Sequence, residues 1–333
     1  MDTVLPDAEP DNWVDRHAPG RVRPWLKLAR LDRPTGIWLL MIPGWQGIAL
    51  ACAIRGRWPD PWLLVAFFVG SVLMRAAGCA VNDAADRDLD LKVSRTAGRP
   101  VASGRISRRA ALAFAAACTA ASVVILLFLN VTSFWLALAS LPLVATYPFM
   151  KRVTWWPQAW LGLTFNWGVL LGFAAAQGGE PLVGRLGLPV PAAPPMGESW
   201  LPALSLYASG IAWTLGYDTI YAMQDVEDDA LAGVKSSARR LGKGVPWFVA
   251  CAYGAALLAA LFAGWTGRLG GWFSFVAFGG LLVHLMTQVR RLFTSRGAAA
   301  LAIFKSNTWT GLILFAALAL GHYGVNSSFT TPG

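Results

Sequence analysis

The sequence predicts an all-α, polytopic membrane protein with nine membrane-crossing helices. Three observations predict it. Hydrophobic residues make up 56% of the chain and charged residues 14%, against roughly 25% charged in average soluble domains, and the mean hydropathy is +0.49. Apolar runs recur along the chain at about the 20-residue length that a helix needs to cross the hydrocarbon core. The two-residue alternation of an outer-membrane barrel is missing.

The elements follow in order. The opening "MDTVLPDAEPDNWVDRHAPGRVRPW" is acidic at first and contains prolines. It lacks the basic and apolar regions of a signal peptide, so residues 1–24 are expected to form a disordered lead-in, ending in a basic stretch at the membrane surface. Apolar windows place helices near 35–54, 62–83, 110–129, 134–150, 157–176, 200–222, 246–265, 270–288 and 306–323. The second and sixth are expected to run past the bilayer, because their helical pattern continues into acidic sequence. Residues 177–199 are rich in Gly and Pro and read as an irregular loop. The helical domain thus spans 25–325, with 326–333 as a tail.

A net charge of +10 would suggest nucleic acid in a soluble protein. Here the Lys and Arg of membrane-protein cytoplasmic loops explain it, and no nucleic acid is expected. Of the 28 Lys and Arg, 23 fall on one side of the nine spans. That asymmetry puts the N-terminus and the acidic loops in the cytoplasm, as in a bacterial inner membrane, and the C-terminus outside. Cys52, Cys79, Cys118 and Cys251 lie inside spans and read as small apolar residues. His17, His284 and His322 are far apart and offer no ligand cluster.

Two acid-rich stretches lie on the Lys/Arg-rich side. In "VNDAADRDLD", residues 81–90, Asn82, Asp86 and Asp90 recur every fourth residue and drift by only about 40° per step, forming one stripe. Arg75 lies within about 20° of the Asn82 phase, one to two turns deeper. In "DTIYAMQDVEDD", Asp218, Asp225 and Asp229 share a face, with Tyr221 beside them. A charge deep in a membrane helix costs roughly 2.5–3.5 kcal/mol, and several acids converging from two helices would repel one another. Carboxylates with an amide oxygen suit Mg²⁺, which favours one or two carboxylates plus substrate phosphates. The alternative is that these acids cap helix ends or pair with neighbouring arginines.

Basic residues flank both stretches: Lys92, Arg95 and Arg99; Lys151 and Arg152; Lys235, Arg239 and Arg240. With Mg²⁺ they would suit a diphosphate, and Arg95, Lys151 and Arg152 are the preferred candidates. For the others, the positive-inside bias is the simpler explanation.

"RAAGCAVNDAADRDLD", "RTAGRPVASGRIS", "YPFMKR" and "YDTIYAMQDVEDDALAGVKS", in that order, resemble the UbiA superfamily of intramembrane prenyltransferases. Within it they are most similar to the branch that prenylates 4-hydroxybenzoate. The resemblance runs from about residue 25 to 323. The family's NxxxDxxxD pattern falls on Asn82, Asp86 and Asp90, and its DxxxD pattern on Asp225 and Asp229. It implies nine helices around a central cavity, with a lateral opening to lipid. It also implies Mg²⁺-dependent transfer of a polyprenyl group from its diphosphate to the ring, ortho to the hydroxyl, in ubiquinone biosynthesis. On that reading Asp86, Asp90, Asp225 and Asp229 are catalytic and, with Asn82, hold the metal. Arg95, Lys151, Arg152, Asp218 and Tyr221 line the substrates, and Arg75 pairs with the acceptor carboxylate or else with a neighbouring Asp. The partners are the two substrates and the bilayer; no obligate protein partner is evident. Loop 177–199 and the lead-in look longer than the family requires.

A transporter also places acids in membrane helices, but these acids sit at helix ends and no inverted repeat is evident. A CDP-alcohol phosphotransferase would show a "DGxxAR" run, which is missing. Other prenyltransferases share the Asp patterns and differ only in acceptor, so 4-hydroxybenzoate rests on the resemblance alone.

Overall fold

The computed structural model describes residues 12–91, 96–190, 197–224, 226, 235–295 and 299–323. Two short helices, α1 (Trp13–His17) and α2 (Arg23–Leu28), precede the first long one, α3 (Thr35–Ala53). They are followed by α4 (Pro61–Ala85), the one-turn α5 (Arg87–Asp90), α6 (Arg108–Leu127), α7 (Val131–Val153), α8 (Pro157–Ala176), the one-turn α9 (Leu182–Arg185) and α10 (Leu201–Ala222). The remainder is α11 (Ser237–Leu241), α12 (Val245–Thr266), α13 (Gly271–Ser295, with a π-helical stretch at Ala277–Leu282) and α14 (Ala300–Leu320). The described residues form no β-strand; their one isolated bridge pairs Asn130 with Pro181.

Eight of the described helices are long and apolar enough to cross a membrane, so the chain is a multi-pass membrane protein. The expected count of nine differs by α10. It forms a 22-residue helix where one is expected but falls outside that apolar set. Its polar residues explain why. Ser205, Ser209, Thr214 and Thr219 are all buried; Ser209 Oγ donates to the Ala256 carbonyl at 2.7 Å, and Thr214 Oγ1 accepts from Asn166 Nδ2 at 2.8 Å. Such partners remove much of the penalty for polar groups inside a membrane helix.

Local chemistry sets the helix ends. Asn130 caps α7, accepting from Ser133 N at 2.9 Å, while its amide donates at 2.6 Å to the carbonyls of Ala174 and Gly178. That cap begins α7 three residues before the apolar run does. Pro stands in the first turn of α8, α10 and α12, where its missing N–H has no helical partner anyway.

The helices fall into two compact units. One contains Met1–Met41 and Ala66–Phe128; the other contains Ile42–Val65 and Leu129–Gly333. In the first, Leu28, Ala76, Ala80, Val101, Ile106 and Ala111 form a core around the last turns of α4. In the second, α10 packs against α12 and α8, and α8 against α7. Gly47 and Gly172 let α3 and α8 touch backbone to backbone, since a Cβ on either would overlap the facing carbonyl.

The lead-in departs from expectation. From Asn12 onward it is folded: Val14 is fully buried, Trp13 Nε1 donates to the Leu31 carbonyl at 2.8 Å, and Lys27 Nζ lies 2.6 Å from Asp15. These are single anchors without periodicity, which a hydropathy reading does not register. Residues 1–11 and 326–333 lie outside the described set. Of the 177–199 loop, the described residues 177–190 and 197–199 are irregular apart from α9.

Candidate active site

At the end of α4 the backbone continues helically into α5, with Asp86 N bonded to Asn82 O and Asp90 N to Asp86 O, both at 2.8 Å. The side chains nonetheless divide. Asp83 is fully buried, and its Oδ1 accepts from Arg30 Nη2 at 2.6 Å. Asp90 is also buried, and both of its carboxylate oxygens accept from Arg99 Nη1, at 3.0 and 2.9 Å. The same Arg99 nitrogen is 3.7 Å from Asp83 Oδ1. Asp88 pairs with Arg108 at the surface at 2.8 Å. Asn82 is exposed and Asp86 half-buried, and neither side chain forms a hydrogen bond or ion pair with another described residue.

The expected single stripe is therefore split. A drift of about 40° per step accumulates to about 80° between Asn82 and Asp90, whereas Asp83 and Asp90, seven residues apart, are only about 20° out of phase. Asp90 is paired with Arg99, the arrangement that the pairing alternative describes. Asn82 and Asp86 keep their oxygens free for a ligand. Arg75 falls between those two in phase. It is half-buried, with its guanidinium against the first turn of α3; a Cβ on Gly36 would come within 2.7 Å of Arg75 Nη2.

Arg30 and Asp83 were not legible as site residues. Arg30 ends α2 in a Schellman motif, with Leu31 N bonded to Leu26 O at 3.0 Å and Arg30 N to Lys27 O at 3.1 Å. Its φ of +60° is a conformation where Gly is usual and which costs a residue with a Cβ about 1–2 kcal/mol. Burial is the largest single effect and works against its charge, but the facing Asp83 carboxylate together with Cys79, Asp32 and Asp90 outweighs it, raising the guanidinium above its ordinary pKa.

In the second unit, α10 carries Asp218, half-buried, and Tyr221. The rings of Tyr217 and Tyr221 pack against Phe304 with centroids 6.0 and 4.6 Å away. Asp225 and Asp229 lie outside the described residues, as do Arg95 and Lys92. The loops that carry the other basic candidates meet. Lys235 N donates to the Lys151 carbonyl at 3.0 Å, and Lys235 Nζ to the Val153 carbonyl at 3.2 Å. Arg239 lies 5.6 Å from the centroid of the Trp155 ring. Ser237 ties this turn down through Thr219 Oγ1 at 2.7 Å and Gln158 Oε1 at 3.4 Å. Lys151 and Arg152 are exposed at the C-terminus of α7, where cations also oppose the helix dipole.

Below this face lies a buried polar network that no sequence motif signalled. Asn307 Oδ1 accepts from Trp213 Nε1 at 2.8 Å and from Tyr253 OH at 3.2 Å. Tyr253 OH lies 2.9 Å from Gln288 Oε1, and Gln288 Nε2 donates to Ser306 and Thr310 at 3.0 Å. The network joins α10, α12, α13 and α14, satisfying polar groups that would otherwise be costly in the membrane.

Among the described residues no three His, Cys, Asp or Glu side chains form a metal cluster. Asn82 and Asp86 are nonetheless two hard oxygen donors, which fits a Mg²⁺ ion that completes its shell with water and phosphate.

Residues 40–312 match the UbiA prenyltransferase family. The chain belongs to the UbiA prenyltransferase family. This UbiA enzyme is 42% identical to a Rattus norvegicus protein named mitochondrial 4-hydroxybenzoate polyprenyltransferase, over 96% of the chain and 80% of the relative. It is 42% identical to the Homo sapiens protein of the same name over 92% of the chain and 77% of the relative. Among solved structures, a UbiA homologue from Aeropyrum pernix superposes with a TM-score of 0.65 at 25% identity, covering 84% of this chain and 96% of that one. The fold also matches a UbiA homologue from Archaeoglobus fulgidus bound to GPP and Mg²⁺, with a TM-score of 0.54 at 16% identity, covering 87% of this chain and 99% of that one.

Proposed function

We propose that this UbiA enzyme transfers a polyprenyl group from its diphosphate to 4-hydroxybenzoate, at the ring carbon ortho to the hydroxyl. The observation that carries the reading is the 42% identity to named 4-hydroxybenzoate polyprenyltransferases over 96% of the chain. In the reaction the allylic C–O bond breaks, its electron pair leaving with the diphosphate. The ortho carbon supplies the pair for the new C–C bond and then releases its proton. Asn82 and Asp86 of the first motif, and Asp225 and Asp229 of the second, hold Mg²⁺. When bound, the cation neutralises the charge that develops on the departing diphosphate.

The chain's own side chains do the rest. Lys151, Arg152 and Arg95 pair with the remaining diphosphate oxygens. Asp218 and Tyr221, on the last turns of α10, line the same substrate. Asp90 acts through Arg99, which it holds in place. Arg75 orients the acceptor by its carboxylate, and the prenyl tail lies in the bilayer. The Lys/Arg-rich side, with the N-terminus and both motifs, is the cytoplasmic or matrix face; the relatives' mitochondrial names give no support to a bacterial inner membrane.

The test is product analysis with purified protein, Mg²⁺, one polyprenyl diphosphate and a panel of aromatic acceptors. Prenylation of 4-hydroxybenzoate in preference to dihydroxynaphthoate and homogentisate is expected. Preference for either of the others overturns the acceptor assignment.

A further inference from the structure

Arg30 occupies a position where the backbone favours glycine, at φ +60°. A strained residue that persists in a fold points to a return elsewhere. The structure shows where its side chain goes: 53 residues along the chain, to a fully buried Asp83 at 2.6 Å. Asp83 lies between Asn82 and Asp86 in sequence and about 100° from Asn82 around the helix. A carboxylate anchored in the interior at that phase fixes the rotation of the last turn of α4, and so fixes where Asn82 and Asp86 point. Asp83 also lies 3.7 Å from Arg99, whose guanidinium holds Asp90, so the same anchor sets the approach of residues 96–99 to the motif.

We propose that Arg30 and Asp83 are positioning residues for the metal–diphosphate site, their buried pair setting the rotation at which α4 presents Asn82 and Asp86. The proposal rests on the reading that Asn82 and Asp86 bind the cation. Neither Arg30 nor Asp83 touches substrate; each acts through the residues beside Asp83. A pair that merely tied α2 to α4 would affect stability alone.

The test uses the full chain purified in detergent, with Mn²⁺ binding measured by electron paramagnetic resonance in the presence of inorganic diphosphate. Thermal unfolding and the Michaelis constants are recorded alongside. The first variant is the double substitution Arg30→Met with Asp83→Leu, because apolar replacement of a whole buried ion pair is often neutral for folding. The second is Asp83→Glu, which keeps the charge but displaces it by one methylene. The expected result is Mn²⁺ binding about 10–100-fold weaker, the range typical of groups that orient metal ligands. The unfolding midpoint of Asp83→Glu and the Michaelis constant for 4-hydroxybenzoate should stay near wild type. Wild-type Mn²⁺ affinity in the folded double variant overturns the proposal; if the double variant does not fold, the same result in Asp83→Glu overturns it. Asp86→Asn is measured in parallel. Weak binding there with wild-type binding in the pair variants rejects the positioning role alone. Wild-type binding in Asp86→Asn rejects the cation reading and the proposal with it.

Discussion

Arg99 and Asp90 form a chelate-like pair: one guanidinium nitrogen lies 3.0 and 2.9 Å from the two carboxylate oxygens. The aspartate is 93% removed from solvent, at 7% exposure. The last acid of the first motif is thus engaged by a cation that the chain itself supplies. Its partner comes from the described segment that begins at Thr96, whose Oγ1 also donates to the Asp90 carbonyl at 2.9 Å, so residues 96–99 are tied to the end of the motif.

Removing that partner should be costly. Arg99→Ala leaves the Asp90 carboxylate buried without a counter-charge, and also removes the second cation near Asp83. The loss should fall below the roughly 3–5 kcal/mol of a fully buried pair, because the Arg99 side chain is 24% exposed. Thermal unfolding in detergent should show a lower midpoint for Arg99→Ala, partly restored by adding Asp90→Asn. If the two substitutions simply add, the pair is not energetically coupled.

Metal dependence should divide the motif. Asp86 keeps free oxygens, so Asp86→Asn is expected to reduce transfer by more than the roughly 10–100-fold that outer-shell groups cost. Asp225→Asn should do the same, and excess EDTA should abolish turnover until Mg²⁺ is restored. Steady-state rates across a Mg²⁺ titration check this. Full activity in EDTA would leave both acid motifs without a catalytic role.

Most helix ends were legible to within a few residues, because an apolar run of membrane length leaves little choice of structure, though α13 runs on to Ser295, past its expected end near 288. The departures have local causes. Asn130 starts α7 early by capping it, and α14 begins at Ala300 rather than near 306 because Asn307, polar in sequence, is fully buried and bonded. In the site, the structure keeps Asn82 and Asp86 on a helical face shared with Arg75, as their spacing predicts. Asp90 lies about 80° round from Asn82 and is buried against Arg99, a partner that spacing alone does not reveal. Arg30 was beyond reach: nothing in a linear reading relates it to Asp83, and its left-handed backbone shows only in three dimensions.

Asn130 offers a stability test away from both motifs. Its side chain makes four hydrogen bonds at once, accepting from Ser133 N and Oγ at the start of α7 and donating to the Ala174 and Gly178 carbonyls at the C-terminal end of α8. Loss of an N-cap alone costs about 0.5–2 kcal/mol, and loss of the two amide donations adds to that. Asn130→Ala should therefore lower the unfolding midpoint clearly, while the enzyme that remains folded keeps its Michaelis constants. Asn130→Asp should recover the cap but not the two amide donations, and so fall between. An Asp variant no better than Ala would place the contribution in the amide bonds.

Arg75 is the residue whose substitution tests the proposed acceptor contact. It shares a helical face with Asn82 and Asp86, lies about two turns deeper, and sits against Gly36, where the absence of a side chain leaves it room. A guanidinium there can grip a benzoate carboxylate through two parallel hydrogen bonds, and truncating one partner of such a desolvated pair costs on the order of 2–5 kcal/mol. Arg75→Ala is accordingly expected to raise the Michaelis constant for 4-hydroxybenzoate by roughly 30-fold or more, with that for the polyprenyl diphosphate little changed, since about 1.4 kcal/mol is a factor of ten. Arg75→Lys should fall short of wild type, because an ammonium cannot reproduce the fork. Gly36→Ala adds a second handle: its methyl would press on Arg75 and should shift the acceptor constant in the same direction without removing any charge. If Arg75 instead braces an acid of the motif, the loss in Arg75→Ala will appear in the Mg²⁺ or diphosphate dependence. Steady-state kinetics with each substrate varied in turn separates the two, and an unchanged acceptor constant rejects the acceptor role.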